Sequence, residues 1–70
     1  MKNIVKLKEE YIKLGQALKA ANLVNSGADA KFLIADGLVN VNGEVEKRRG
    51  RKLYDGDVIL FNGNDVRVEK

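Results

Sequence analysis

Apolar positions along this chain keep two different spacings, and the change from one to the other divides it. From Glu9 to Asn22, Tyr11, Leu14, Leu18 and Ala21 recur at intervals of three and four, as one face of a helix requires. Glu9 and Glu10 suit the positive end of that helix. Lys13, Gln16 and Lys19, three apart, fall on another face and present two cations and an amide together, although an ordinary solvated face has the same spacing. A second helix is announced at Ser26-Gly27-Ala28-Asp29, where a serine cap with an acid three residues on can satisfy orphan amide donors. Gly37 ends it, because glycine tolerates the left-handed conformation that closes a helix. Within it Ala30, Phe32, Leu33, Ile34 and Ala35 are expected to supply core surface, with Lys31 and Asp36 in solvent.

Beyond Gly37 the period falls to two. Val39 and Val41 alternate with Asn40, Asn42-Gly43 follows, then Glu44-Val45-Glu46, which predicts a hairpin closed by a two-residue type I′ turn. Asp55-Gly56 marks another turn, V-I-L-F at 58–61 a strand, N-G-N-D at 62–65 a third turn and V-R-V a last short strand. N-I-V-K-L at 3–7 suits a short strand or an ordered arm. The expected architecture is α+β, two N-terminal helices packed on a small antiparallel sheet of hairpins. No linker, repeat or low-complexity stretch interrupts it, so residues 1–70 are expected to form one domain, near the lower size at which a single core holds without staples.

Composition removes several chemistries. The chain has no cysteine and no histidine, which excludes disulfides, thiolate zinc sites and imidazole ligands; no metal and no cofactor are expected. A hydrophobic content of 44% argues for a folded domain rather than a basic disordered tail. Lys2, Lys6 and Lys8 break any apolar run long enough for a signal peptide or membrane span, so a soluble, cytoplasmic protein is expected. Ser26 is the sole serine and has a capping role, and without histidine no familiar triad can be built. Glu44 with Glu46, or Asp55 with Asp57, could be imagined as carboxylate pairs, but basic neighbours and turn positions explain them more simply. The glycines are too scattered for a phosphate loop. A protein without catalytic activity is expected.

The charge is local. Five of the 13 basic residues, Lys47, Arg48, Arg49, Arg51 and Lys52, lie within six positions; the other eight face ten acidic residues, leaving the rest of the chain at net −2. Such a run is often only a solvated loop. Here it follows a tight turn and is rich in arginine, whose fork suits phosphate oxygens, so a polyanion is the favoured partner. Phe32 and Phe61 fall at core positions, and Tyr11 and Tyr54 at core or rim, which leaves no aromatic platform for reading single strands and favours shape and phosphate recognition of structured RNA.

The run from Leu14 to Val45, with Ala30-Lys31, Ile34, Gly37, Val39 and Val41-Asn42-Gly43, closing on L-Y-D-G-D-V-I-L-F with Gly56-Asp57, resembles the S-four RNA-binding domain, also called the alpha-L motif. The similarity spans about residues 11–61 and is greatest to stand-alone members without a catalytic domain. The resemblance implies a surface of two helices and a hairpin that grips structured RNA, ribosomal RNA or tRNA, and association with a ribosomal subunit. It places RNA contacts on Lys13, Gln16, Lys19, Ser26, Lys31 and the segment after Asn42-Gly43; Asn40 and Asn42 are further candidate donors to RNA, although turn formation explains Asn42 more simply. Many members carry arginine after the serine, where this chain has Gly27, and an R-L-D-like start where it has Tyr11-Ile12-Lys13. The extra cations at Lys47, Arg48, Arg49, Arg51 and Lys52 are expected to take over most of the binding. A monomer is expected. The rival reading is an adaptor whose basic segment docks on an acidic protein; a beta-grasp sulfur carrier is disfavoured because the chain ends Val68-Glu69-Lys70 and not Gly-Gly.

Overall fold

A computed structural model describes residues 2–70. The chain runs through β1 (Lys2–Lys6), β2 (Ile12–Lys13), α1 (Leu14–Ala20), α2 (Gly27–Ala35), β3 (Val39–Val41), β4 (Glu44–Val45), β5 (Lys52–Leu53), β6 (Val58–Phe61) and β7 (Asn64–Glu69). Five strands form one sheet in the order β1-β7-β6-β3-β4, and β2 pairs with β5 in a separate two-stranded ladder. Every pairing is antiparallel except β1 with β7, which run parallel with Lys2 opposite Asp65 and Lys6 opposite Glu69. This is the expected α+β arrangement of two helices and hairpins, with the segment expected at 3–7 forming a strand that lies one residue earlier, Lys2–Lys6.

Alternation along the strands aims Val39, Val41, Ile59, Val66, Val68 and Val5 inward, where they meet Leu14, Ala17 and Leu18 of α1 and Ala30 and Ile34 of α2. Both tight hairpins close as their residue types demand. Asn42 and Gly43 have φ of 52° and 86°, and Asn62 and Gly63 have 52° and 78°, positive at both central positions. Ser26 Oγ accepts the Asp29 amide at 3.2 Å, and Gly37 and Leu38 close α2 by donating to the carbonyls of Ile34 and Leu33.

Two expectations need correction. The first helix begins at Leu14, not Glu9: Ile12 and Lys13 are extended and pair with Leu53 and Lys52, so tertiary pairing overrides the local helical spacing. Its far end closes on Asn22, which takes φ 60° while Asn22 and Leu23 donate to Lys19 and Leu18. Phe32 is not core; it is 66% exposed, and Ala35 is exposed too, because α2 turns only Ala30 and Ile34 fully inward. Tyr11 and Tyr54 both lie at the rim.

Candidate functional site

The segment after the Asn42-Gly43 hairpin is organised by one carboxylate. Glu46 N–H donates to the Val39 carbonyl at 3.0 Å, which carries the hairpin one residue past β4 and turns Glu46 inward to 7% exposure. Its Oε2 accepts the Arg48 backbone amide at 3.1 Å and Arg48 Nε at 3.0 Å; its Oε1 accepts Arg48 Nη2 at 3.1 Å and Arg51 Nη1 at 2.9 Å. The Arg48 side-chain bonds are the main reason that the Glu46 carboxyl falls from its ordinary 4.5 to about 2; burial opposes the shift, and Arg51 adds to it. The same contact pushes the Arg48 pKa up. Both oxygens of this little-exposed carboxylate are thus hydrogen-bonded to cationic or backbone donors, while its main partner Arg48 stays in solvent.

Because Glu46 draws Arg48 and Arg51 to itself, the chain between them bends, with the Arg51 amide donating to the Arg48 carbonyl at 3.3 Å. The bend is laid against the start of α1. Leu14 N–H donates to the Arg51 carbonyl at 2.9 Å and Gly15 N–H to the Arg49 carbonyl at 3.1 Å, so two amides at the helix start are satisfied by the basic segment instead of by a side-chain cap. Gly15 is what allows the approach. A Cβ there would stand 2.7 Å from Arg49 Cγ and 3.3 Å from Cδ.

Arg49 thereby passes over Gly15 and joins Lys13, Gln16 and Lys19 around a groove of about 370 Å³, whose lining is completed by Gly15, Gly27 and Gly50. The groove holds three cations and no acid. The three polar residues singled out on the first helix and one of the five basic ones are brought together here, from positions up to 36 apart in sequence.

The remaining candidates lie around this groove or apart from it. Ser26, next to Gly27, uses its Oγ for the Asp29 amide. Lys31 is exposed on α2. Asn42 is engaged in the sheet: its Nδ2 donates to Asp57 Oδ1 at 3.0 Å and its Oδ1 accepts the Val58 amide at 2.9 Å. Lys47 is exposed, with its Cε beside Gly37. Arg48 stays 75% exposed despite its bonds to Glu46, and Arg51 is about one-third exposed. Lys52 Nζ stands 4.8 Å from the centre of the Tyr11 ring, which packs on Tyr54 with ring centres 6.0 Å apart. The five cations are therefore dispersed, with Arg49 alone in the groove.

Glu46, Gly15 and Gly50 were missed in the sequence. No local pattern marks an acid beside a basic run as the buried member of a cluster, or a glycine inside a helix as a crossing point. Among the described residues no three of His, Cys, Asp and Glu gather as a metal site, and no helix is long and apolar enough to cross a membrane.

The chain as a whole is similar to several known proteins. The model of a family described as the S4 domain matches residues 5–69. The chain is 46% identical over 63 residues to a Bacillus subtilis protein named "Probable ribosome maturation protein RlbA", covering 90% of this chain and 89% of that one. It is 39% identical over 61 residues to YbcJ of Escherichia coli, covering 87% of each. The solution structure of YbcJ, described as revealing an alpha-L motif involved in RNA-binding, matches with a TM-score of 0.71 and 35% identity over 99% of this chain and 86% of that one.

Proposed function

The chain belongs to the S4 domain family, and from that premise we propose that it is a non-catalytic RNA-binding protein, a single module that grips structured ribosomal RNA or tRNA. One observation carries the reading: Lys13, Lys19 and Arg49 converge with Gln16 on a groove that contains no opposing acid. Three cations around one groove suit the phosphates of one folded strand, and the uncovered backbone at Gly27 and Gly50, where a Cβ would meet nothing within 4 Å, lets a sugar-phosphate chain come close. The groove has no aromatic lining, so it favours backbone and shape recognition over stacking. Ser26, next to Gly27, and the exposed Lys31, Lys47, Arg48 and Lys52, with the partly exposed Arg51, are further RNA contacts dispersed outside the groove; Asn42 serves the hairpin. The ribosome-maturation relative supports ribosomal RNA, within a ribosomal subunit, as the first target to examine.

The test is RNA crosslinking in cells followed by sequencing, with wild type beside a folded Arg49→Glu variant. Discrete crosslinks in ribosomal RNA or tRNA that vanish in the variant are expected. With purified components, removing one phosphate contact should flatten the dependence of log affinity on log salt by about 1. Unchanged RNA affinity in Arg49→Glu, or recovery of an acidic protein in place of RNA, overturns the reading.

A further inference from the structure

We propose that a second groove, across the ridge formed by Gln16 and Lys19, receives an unpaired RNA base adjoining the segment held in the first; the inference rests on the RNA reading above. The two grooves share Gln16 and Lys19 in their linings, so they adjoin at that ridge. Their chemistry differs. The first is lined by cations, an amide and glycine backbone; the second, about 690 Å³, lies between residues 5–9 and α1 and is lined by Leu7, Ile12 and the ring of Tyr11, with Lys8 and Lys19 among its cations. Lys6 also lines it but is paired with Glu69 at 3.4 Å, and Glu9 contributes one negative charge.

Apolar and aromatic walls beside cations match a nucleotide better than a bare phosphate. A base has apolar faces to lay on Leu7, Ile12 and Tyr11, and its own phosphate would face Lys8 or Lys19 while Gln16 reaches its polar edge. Tyr11 is 37% exposed and already oriented by Tyr54 and by the Lys52 ammonium, so stacking on it would cost little ordering. Volume agrees as well, since the groove is nearly twice the size of the first and within the range of small-molecule sites.

The experiment uses the full chain and three fluorescent versions of one stem-loop RNA: blunt, with a short unpaired adenosine tail, and with an abasic tail of equal length, each tail tried at either end. The adenosine tail should tighten binding about tenfold, the scale of one stacked base, and the abasic tail much less. Tyr11→Leu, which keeps apolar bulk but removes the ring, should abolish the gain and leave blunt-RNA affinity unchanged; Lys8→Gln, at an exposed position, should reduce the gain with no risk to the core. A gain equal for adenosine and abasic tails, or one that survives Tyr11→Leu, overturns the inference. Blunt RNA that binds through Arg49 with no gain from any tail also overturns it and leaves the first groove standing. If no RNA binds, the RNA reading fails and takes this inference with it.

Discussion

The two helices begin in opposite ways. α2 carries its own start: Ser26 precedes it and caps it with a side chain, and the signal lies within four consecutive residues. α1 has no side-chain cap, and the amides of Leu14 and Gly15 are received by carbonyls of Arg51 and Arg49, more than thirty residues downstream. A helix closed by its own sequence can form wherever its neighbours permit; one closed by a distant loop exists only with that loop in place. The basic segment and α1 are thus a single unit, and the groove between them is the seam.

The greatest test of this difference is Gly15→Ala. Alanine normally improves a helix interior by about 1 kcal/mol over glycine. Here the added methyl meets the middle of the Arg49 side chain, and a loss of about 1–3 kcal/mol in thermal or denaturant unfolding is expected, typical of overpacking, with weaker RNA binding in whatever remains folded. Stability equal to wild type would show that Arg49 does not need the crossing.

Next is Glu46→Gln. It raises the net charge, so attraction to RNA as a simple sum of charges predicts tighter binding. Loss of the carboxylate that bends the segment predicts weaker binding, by less than Gly15→Ala, and that is the expected result in a binding titration at fixed salt. The pH dependence has a definite sign. Since the folded carboxyl has its pKa lowered from 4.5 to about 2, its contribution to stability is complete above about pH 4.5 and is lost as pH falls toward 2. Acid titration of the unfolding free energy should show a steeper fall in wild type than in Glu46→Gln across that window.

Smaller effects belong to α2. Ser26→Ala removes a local cap and should cost about 1 kcal/mol by equilibrium unfolding, with the groove intact. Gly27→Ala should be neutral or gain up to about 1 kcal/mol, because a Cβ there meets nothing within 4 Å. Alanine for glycine near two helix starts would then have opposite signs, and equal signs would erase the distinction.

The same distinction explains what could be seen in the sequence. The hairpin at Asn42-Gly43, the Ser26 cap and the Gly37 terminus were legible because each is settled by residues a few positions apart. The start of α1 was not, since the pairing of Ile12 and Lys13 with Leu53 and Lys52 involves two residues on each side and leaves no periodic trace. Phe32 was misplaced because an apolar residue in a short helix does not reveal which side the neighbours cover. At the site, Gln16 and Lys19 were legible from their spacing along one helix face, with Lys13 joining them from the extended residue before the helix, and a net positive segment from composition. What composition could not divide was the arginines: Arg48 and Arg51 turn to Glu46 while Arg49, between them, faces the other way.

The parallel pairing of Lys2–Lys6 with Asp65–Glu69 sets an order of events during synthesis. The hairpins β3–β4 and β6–β7 join near neighbours and can form soon after their residues are made, whereas the first strand has no partner until the last has been translated. Val5 and Leu7, which help wall the second groove, stay unanchored until then. A growing chain holds every residue that lines its first groove before it holds the strand that anchors the second.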